Sequence, residues 1–238
     1  DPQRRQFLRG KVAENNLIES VQVGPNQNRQ VYELLNVDRE AILKHGALQS
    51  EVLANYRRAD ELYRIILFGS EYDYDALLGR GDNYMRWGEE DADRFEDARQ
   101  TYARLMARYG ETDPILMRFL RYFVRMDNQQ EVERVVYVFR NDPDAEVDPQ
   151  IYANAAGFLL DKGRIADIRE MLIRAYQTDP MTPEVHYELA RYDHRVEAPL
   201  EERDALDNAQ EAFRLAEPLT PDRLWKQIDT DIRSGEYW

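Results

Sequence analysis

The chain has 238 residues with a formal net charge of −14 and a pI near 4.8, a balance that argues against nucleic acid or an anionic membrane surface as partner. Forty-three per cent hydrophobic and 33% charged residues describe a folded chain rather than a disordered one, and no apolar run approaches the ~18 residues of a membrane span. The absence of cysteine excludes disulfides and thiolate metal sites.

Taken in order, residues 3–20 read as a helical segment with Phe7, Leu8, Val12, Leu17 and Ile18. No secretory apolar core is visible, and Asp1 without a preceding Met reads as a processed terminus or an artificial boundary. Val23-Gly24-Pro25-Asn26 is a turn; helical patterning resumes at Gln30 and reaches Asp38, a cap. Residues 39–68 carry Ile42, Leu43, Ala47, Ala59, Tyr63 and Ile66, a degenerate repeat or a pair of capping helices, with the first reading preferred. Gly69 to Asp75 is a junction.

Residues 148–182 hold the clearest unit. Asp148 can cap first-turn amides and Pro149 suits the first helical position. Tyr152, Ala155, Ala156 and Leu159 fall on one helix face, Gly163 permits a left-handed turn, and Ile168, Leu172 and Ala175 form a second stripe ended by Pro180. Asp-Pro or Thr-Pro pairs at 113–114, 148–149, 182–183 and 220–221 repeat the opening. The second stripe recurs as Ala98-Tyr102-Leu105, Val132-Val136-Phe139 and Ala209-Phe213-Ala216, and more faintly as Ala59-Tyr63-Ile66. A helix hairpin this short cannot bury both stripes alone, so the units must stack. After Pro221, Leu224, Trp225, Ile228 and Ile232 mark a last helix stopped at Gly235, expected to cover the open end.

These stripes and caps resemble tetratricopeptide repeats, with small-residue pairs at Leu78-Gly79, Ala155-Ala156 and Leu189-Ala190 and a departure at Phe119-Leu120. The resemblance implies an all-α, right-handed α-solenoid of antiparallel helix pairs. It divides the chain into an N-terminal helical cap (1–38), an array (39–221) of about four strong repeats from 75 with a degenerate one at 40–74, and a capping helix (222–238). Counting from those small residues, two repeats carry seven extra residues, near Trp87 to Asp91 and from Arg195 to Glu201 with Pro199. They read as longer helices or loops, or as protrusions that meet a partner.

The resemblance further implies a concave groove lined by first helices that binds a peptide or partner helix. Helical phase places Arg80, Tyr84, Met117, Arg121, Arg125, Tyr187, Arg191 and Arg195 there with His194 adjacent, beside Ala76, Ala153, Gly157 and Asp161. Five arginines against one acid suit an acidic or C-terminal carboxylate-bearing segment, because the guanidinium fork grips carboxylates and stacks on aromatics. The competing reading pairs these arginines with acids of neighbouring helices. The resemblance to the carboxylate-clamp subgroup, which holds chaperone tails and also uses asparagines in its first helices, is incomplete: only Asn83 and Asn154 are available and lysine is nearly absent, which disfavours chaperone tails as ligand.

Other motifs carry less. Arg80-Gly81-Asp82 spells an adhesion tripeptide inside a helix, and Asp142, Asp144, Glu146 and Asp148 alternate like a calcium loop that lacks its glycine and closing glutamate. His186 and His194 are not spaced for zinc. No phosphate loop, dinucleotide fingerprint or nucleophile elbow is present, so no catalytic residue, metal or cofactor is expected. The reading is a non-catalytic protein-binding scaffold that assembles a larger complex, with a lean toward the periplasm over the cytoplasm. A structural spacer or self-associating module of a longer protein is the alternative, and a hydrolase with paired carboxylates a distant third.

Overall fold

In the computed structural model residues 39–216 and 221–234 are described. The expected N-terminal cap over 1–38, Thr220 and the stop at Gly235 lie outside them. Eleven helices, and no strand, occupy the described residues. Contacts divide the chain into two compact units, one up to Glu111 and one from Thr112.

The first unit holds α1 (Arg39–Glu51), α2 (Tyr56–Gly69), α3 (Tyr74–Trp87) and α4 (Arg94–Tyr109), packed as the pairs α1/α2 and α3/α4. Asp73 caps α3 by accepting from the Ala76 amide at 3.1 Å and also receives the Arg39 guanidinium at 2.6 and 2.8 Å, tying α1 to α3. In both pairs a glycine on the first helix lies under a tyrosine of the second. A Cβ on Gly46 would stand 3.0 Å from the Tyr63 ring, and one on Gly81 2.3 Å from the Tyr102 ring. The small residue of α3 is therefore Gly81, two places beyond the expected Gly79. Gly79 instead faces Tyr63 of the preceding pair. The adhesion-like tripeptide is consumed by this packing, since the Tyr102 hydroxyl also donates to Asp82 at 2.8 Å.

The second unit holds α5 (Asp113–Arg125), α6 (Gln129–Asn141), α7 (Pro149–Asp161), α8 (Ile168–Thr178), α9 (Pro183–Arg195), α10 (Pro199–Leu215) and α11 (Pro221–Ser234). They form the pairs α5/α6, α7/α8 and α9/α10, with first helix on first helix from α5 to α7 to α9. The expected stripes are the core: Val132 and Phe139, Leu172 and Ala175, Ala209 and Phe213 are all buried. Ala216 is not part of its stripe; it follows the last turn of α10 and is only half-buried. Each first helix here has 13 residues and ends the same way. A residue at positive φ follows the cap (Asp127, Gly163, Glu197), and the next amide (Asn128, Arg164, Ala198) returns 2.9 Å to a carbonyl five residues back.

That shared geometry locates the extra residues. After α9 the turn has the same form as after α5 and α7, and the surplus is helix: α10 runs 17 residues where α8 runs 11. After α3 the surplus lies in the connection Gly88 to Asp93. The acidic segment after α6 is held by Arg174 of α8, which donates to the carbonyls of Asp142 at 2.9 Å and Ala145 at 2.5 Å as well as that of Phe139.

Candidate functional site

Within the second unit, the faces that α5, α7 and α9 turn to one another bring polar side chains into register, because equivalent residues follow each N-cap at equal spacing. Counting from Thr112, Asp148 and Thr182 aligns Met117 with Ala153 and Tyr187, Arg121 with Gly157 and Arg191, and Arg125 with Asp161 and Arg195. The glycine on α7 has a packing cause: a Cβ there would come 2.3 Å from the Glu188 carboxylate of α9.

Glu188 is nearly enclosed, and two cations offset the cost of burying its charge. Arg191 donates to it at 2.7 Å and Lys226 of α11 stands 3.3 Å away. Burial pushes its carboxyl above the ordinary 4.5, with Lys226 and Arg191 pulling the other way. Arg191 also reaches Asp161 of α7 and lies over the Tyr187 ring, 5.8 Å from its centroid, while Lys226 lies 5.4 Å from the same centroid. The Tyr187 hydroxyl donates to Asp229 of α11 at 3.0 Å, and burial with that acid raises its pKa.

One turn earlier on α9, Glu184 is fully buried. It accepts from Gln150 of α7 at 2.9 Å and from Arg223 of α11 at 2.7 Å. Lys226 further donates to Asn154 of α7, and Arg233 meets Glu202 of α10 at 2.7 Å. The helix α11 thus lies on α9 and α10 and reaches α7 through its charged face.

The expected groove residues are placed as follows. Tyr187 and Arg191 share one cluster with Asp161. His194 is exposed, with its Nδ1 3.1 Å from the Glu202 carboxylate, which accepts, and Arg195 is exposed at the end of α9. Arg121 is half-buried and Arg125 exposed on α5. Met117 is 1% exposed and belongs to the core, leaving it no surface to offer. In the first unit, Arg80 donates to Asp60 of α2 at 2.6 Å and to the Tyr84 hydroxyl at 2.7 Å, and Tyr84 is buried. With Gly81 as the true small residue, the places equivalent to Met117, Arg121 and Arg125 are Leu78, Asp82 and Arg86. Arg80 and Tyr84 therefore join α3 to α2.

Sequence reasoning missed Gln150, Glu184, Glu188, Arg223 and Lys226. A signal exists: Glu184 and Glu188 are one turn apart, as are Arg223 and Lys226, so two helices of matching charge rows were there to be paired. Among the described residues no group of three or more His, Asp or Glu is placed to hold a metal ion, and no helix is long and apolar enough to cross a membrane.

No family model and no curated protein matches the sequence. Solved structures do match. PilW, described as a widely conserved type IV pilus biogenesis factor, is 15% identical, with 83% of this chain and 87% of that one covered at a TM-score of 0.61. The pilF protein of Pseudomonas aeruginosa is 16% identical over 85% of this chain and 90% of its own, at 0.60. A tetratricopeptide repeat protein from Parabacteroides merdae ATCC 43184 is 13% identical over 95% and 82%, at 0.61. Stacked helix pairs, with a small residue under the second helix in every described pair but α5/α6, together with these superpositions, give the chain the tetratricopeptide-repeat fold.

Proposed function

We propose that the protein is a non-catalytic scaffold that binds a segment of another protein on the first-helix surface of its second unit, and so helps to assemble a larger complex in the cell envelope. The segment is acidic or ends in a free carboxylate. The observation that carries this reading is the setting of Arg191. Its guanidinium is anchored from below by buried Glu188, lies over Tyr187 and stays about a quarter exposed, where it receives the exposed carboxylate of Asp161. Asp161 occupies the place a ligand carboxylate would take. The envelope setting is supported by PilW, a pilus biogenesis factor of the same fold.

The test uses a fluorescein-labelled peptide with an Asp/Glu-rich C-terminal tail, titrated against the full chain, beside the same peptide amidated. Asp161→Asn should strengthen binding by releasing Arg191, Arg191→Gln should weaken it, and the amidated peptide should bind more weakly. Affinities insensitive to both substitutions reject the surface.

A further inference from the structure

Among the described residues, every half-buried arginine but one has a partner. Arg80 and Arg223, for example, are held by carboxylates, and Arg174 by carbonyls. The exception is Arg121, whose half-buried side chain has no ion pair or hydrogen bond among the described residues. Its register supplies the reason. Arg191 stands at the same place on α9 and is anchored by Glu188, three positions before it, whereas α5 carries Arg118 at that position. Arg121 has thus given up part of its hydration without gaining a counter-charge, and its five donors are open to a ligand. Arg191, by contrast, already receives the exposed carboxylate of Asp161.

The helix α5 packs on α7 and α7 on α9, so Arg121, Gly157 and Arg191 make one row across three neighbouring helices. Gly157 adds no side chain between the two guanidiniums. Neighbouring helix axes lie ~8–10 Å apart, which puts the ends of the row ~16–20 Å apart. An extended chain covers that distance in about five or six residues at ~3.3 Å each. We propose, resting on the reading of this surface as the binding surface, that its ligand is an extended segment with two carboxylates at that separation. One carboxylate is received by Arg121 and the other by Arg191, in the place of Asp161, and the segment crosses α7 between them. The free guanidinium and the occupied one are thus the two ends of a single site, and the distance between them selects the ligand.

The probes are fluorescein-labelled glycine–serine peptides with blocked ends and two glutamates, about six places apart in one and two places apart in the other. Anisotropy titrations with the full chain at low ionic strength should show the wide-spaced peptide binding roughly tenfold more tightly, since it alone reaches both arginines. Arg121→Gln should remove that preference and leave the two peptides alike. The far-UV circular dichroism should not change, because the substitution breaks no internal bond. Equal affinities for the two spacings in the wild type, or a preference that survives Arg121→Gln, overturns the proposal. If Arg191→Gln and Asp161→Asn still shift the affinity of the acidic-tail peptide in that case, the binding surface stands and only the two-point ligand falls. Tighter binding by an alanine-rich helical peptide with its glutamates about eleven places apart, the same span at ~1.5 Å per residue, assigns a helix to the surface and overturns the extended ligand.

Discussion

The helices α9 and α11 share a register and differ in which face they bury. In α9 the apolar row lies under α10, and the acids Glu184 and Glu188 serve the neighbouring first helices. In α11 the basic row meets those same acids, and the apolar row is open. Buried apolar contacts hold α9 regardless of pH, whereas the attachment of α11 depends on ionised partners. One fold position can be filled by hydrophobic burial or by paired charges, and only the second leaves an apolar face to offer.

The comparison breaks first at Glu184. Glu184→Ala leaves Arg223 and Gln150 facing an empty site, and removing one member of a buried pair costs about 3–5 kcal/mol. Hydrogen exchange should then show α11 unprotected while α7 and α8 remain protected; protection of α11 unchanged would mean its attachment does not depend on that pair. Next, the same register position should respond differently in α5 and in α11. Leu116→Ala, in the core of α5, should cost about 2–5 kcal/mol. Leu224→Ala should stay within about 0.5 kcal/mol. Urea titrations giving equal losses would show that α11 is covered in solution.

Gly81→Ala tests close approach in the first unit. The new methyl meets the Tyr102 ring, which is pinned by its bond to Asp82, and overpacking of this kind costs about 1–3 kcal/mol, readable as a lower thermal midpoint. Glu197→Gly works in the opposite direction: Glu197 holds a φ of 59°, and a glycine there should raise stability by up to about 1 kcal/mol, as Gly163 does without strain in the equivalent turn.

The last effect is a pH slope. Folding raises the Glu188 pKa, so the folded chain binds that proton more tightly than the unfolded one. The stability linked to this proton is fully present below about 4.5 and is lost as pH rises through the raised folded value. The stability of wild type relative to Glu188→Gln should therefore fall as pH increases from 4.5, measured by denaturant midpoints at several pH values. A difference that grows with pH would mean that Arg191 and Lys226 outweigh the desolvation of the carboxylate.

Much of the fold was legible because the pairs repeat one local grammar. Asp148 and Pro149 start a helix by satisfying and removing first-turn amides, Gly163 ends one, and the stripes at Val132–Phe139 and Ile168–Ala175 need no tertiary knowledge to read. The register of α3 was not legible, since Gly79 and Gly81 satisfy the same small-residue rule and only the Tyr102 ring distinguishes them. The turns at Asp127 and Glu197 carry no glycine, so their left-handed backbone is invisible in sequence. The candidate site was half legible. Arg191 and Tyr187 could be named from helical phase and lie in one cluster, but the acids that hold them in place, and the basic row of α11 that reaches them, are set by packing between helices distant in the chain.

The sequence by itself determined that the chain folds as helix pairs, where most of them begin, and which stripe each second helix buries, because caps and 3.6-residue periodicity act within a few residues of one another. It also wrote an amphipathic pattern into α11. The tertiary structure alone decided which side of that pattern faces inward: Glu184, Glu188 and Glu202 are brought together from α9 and α10 to meet Arg223, Lys226 and Arg233, while Leu224 and Trp225 stay exposed, and such pairing between remote residues leaves no local trace.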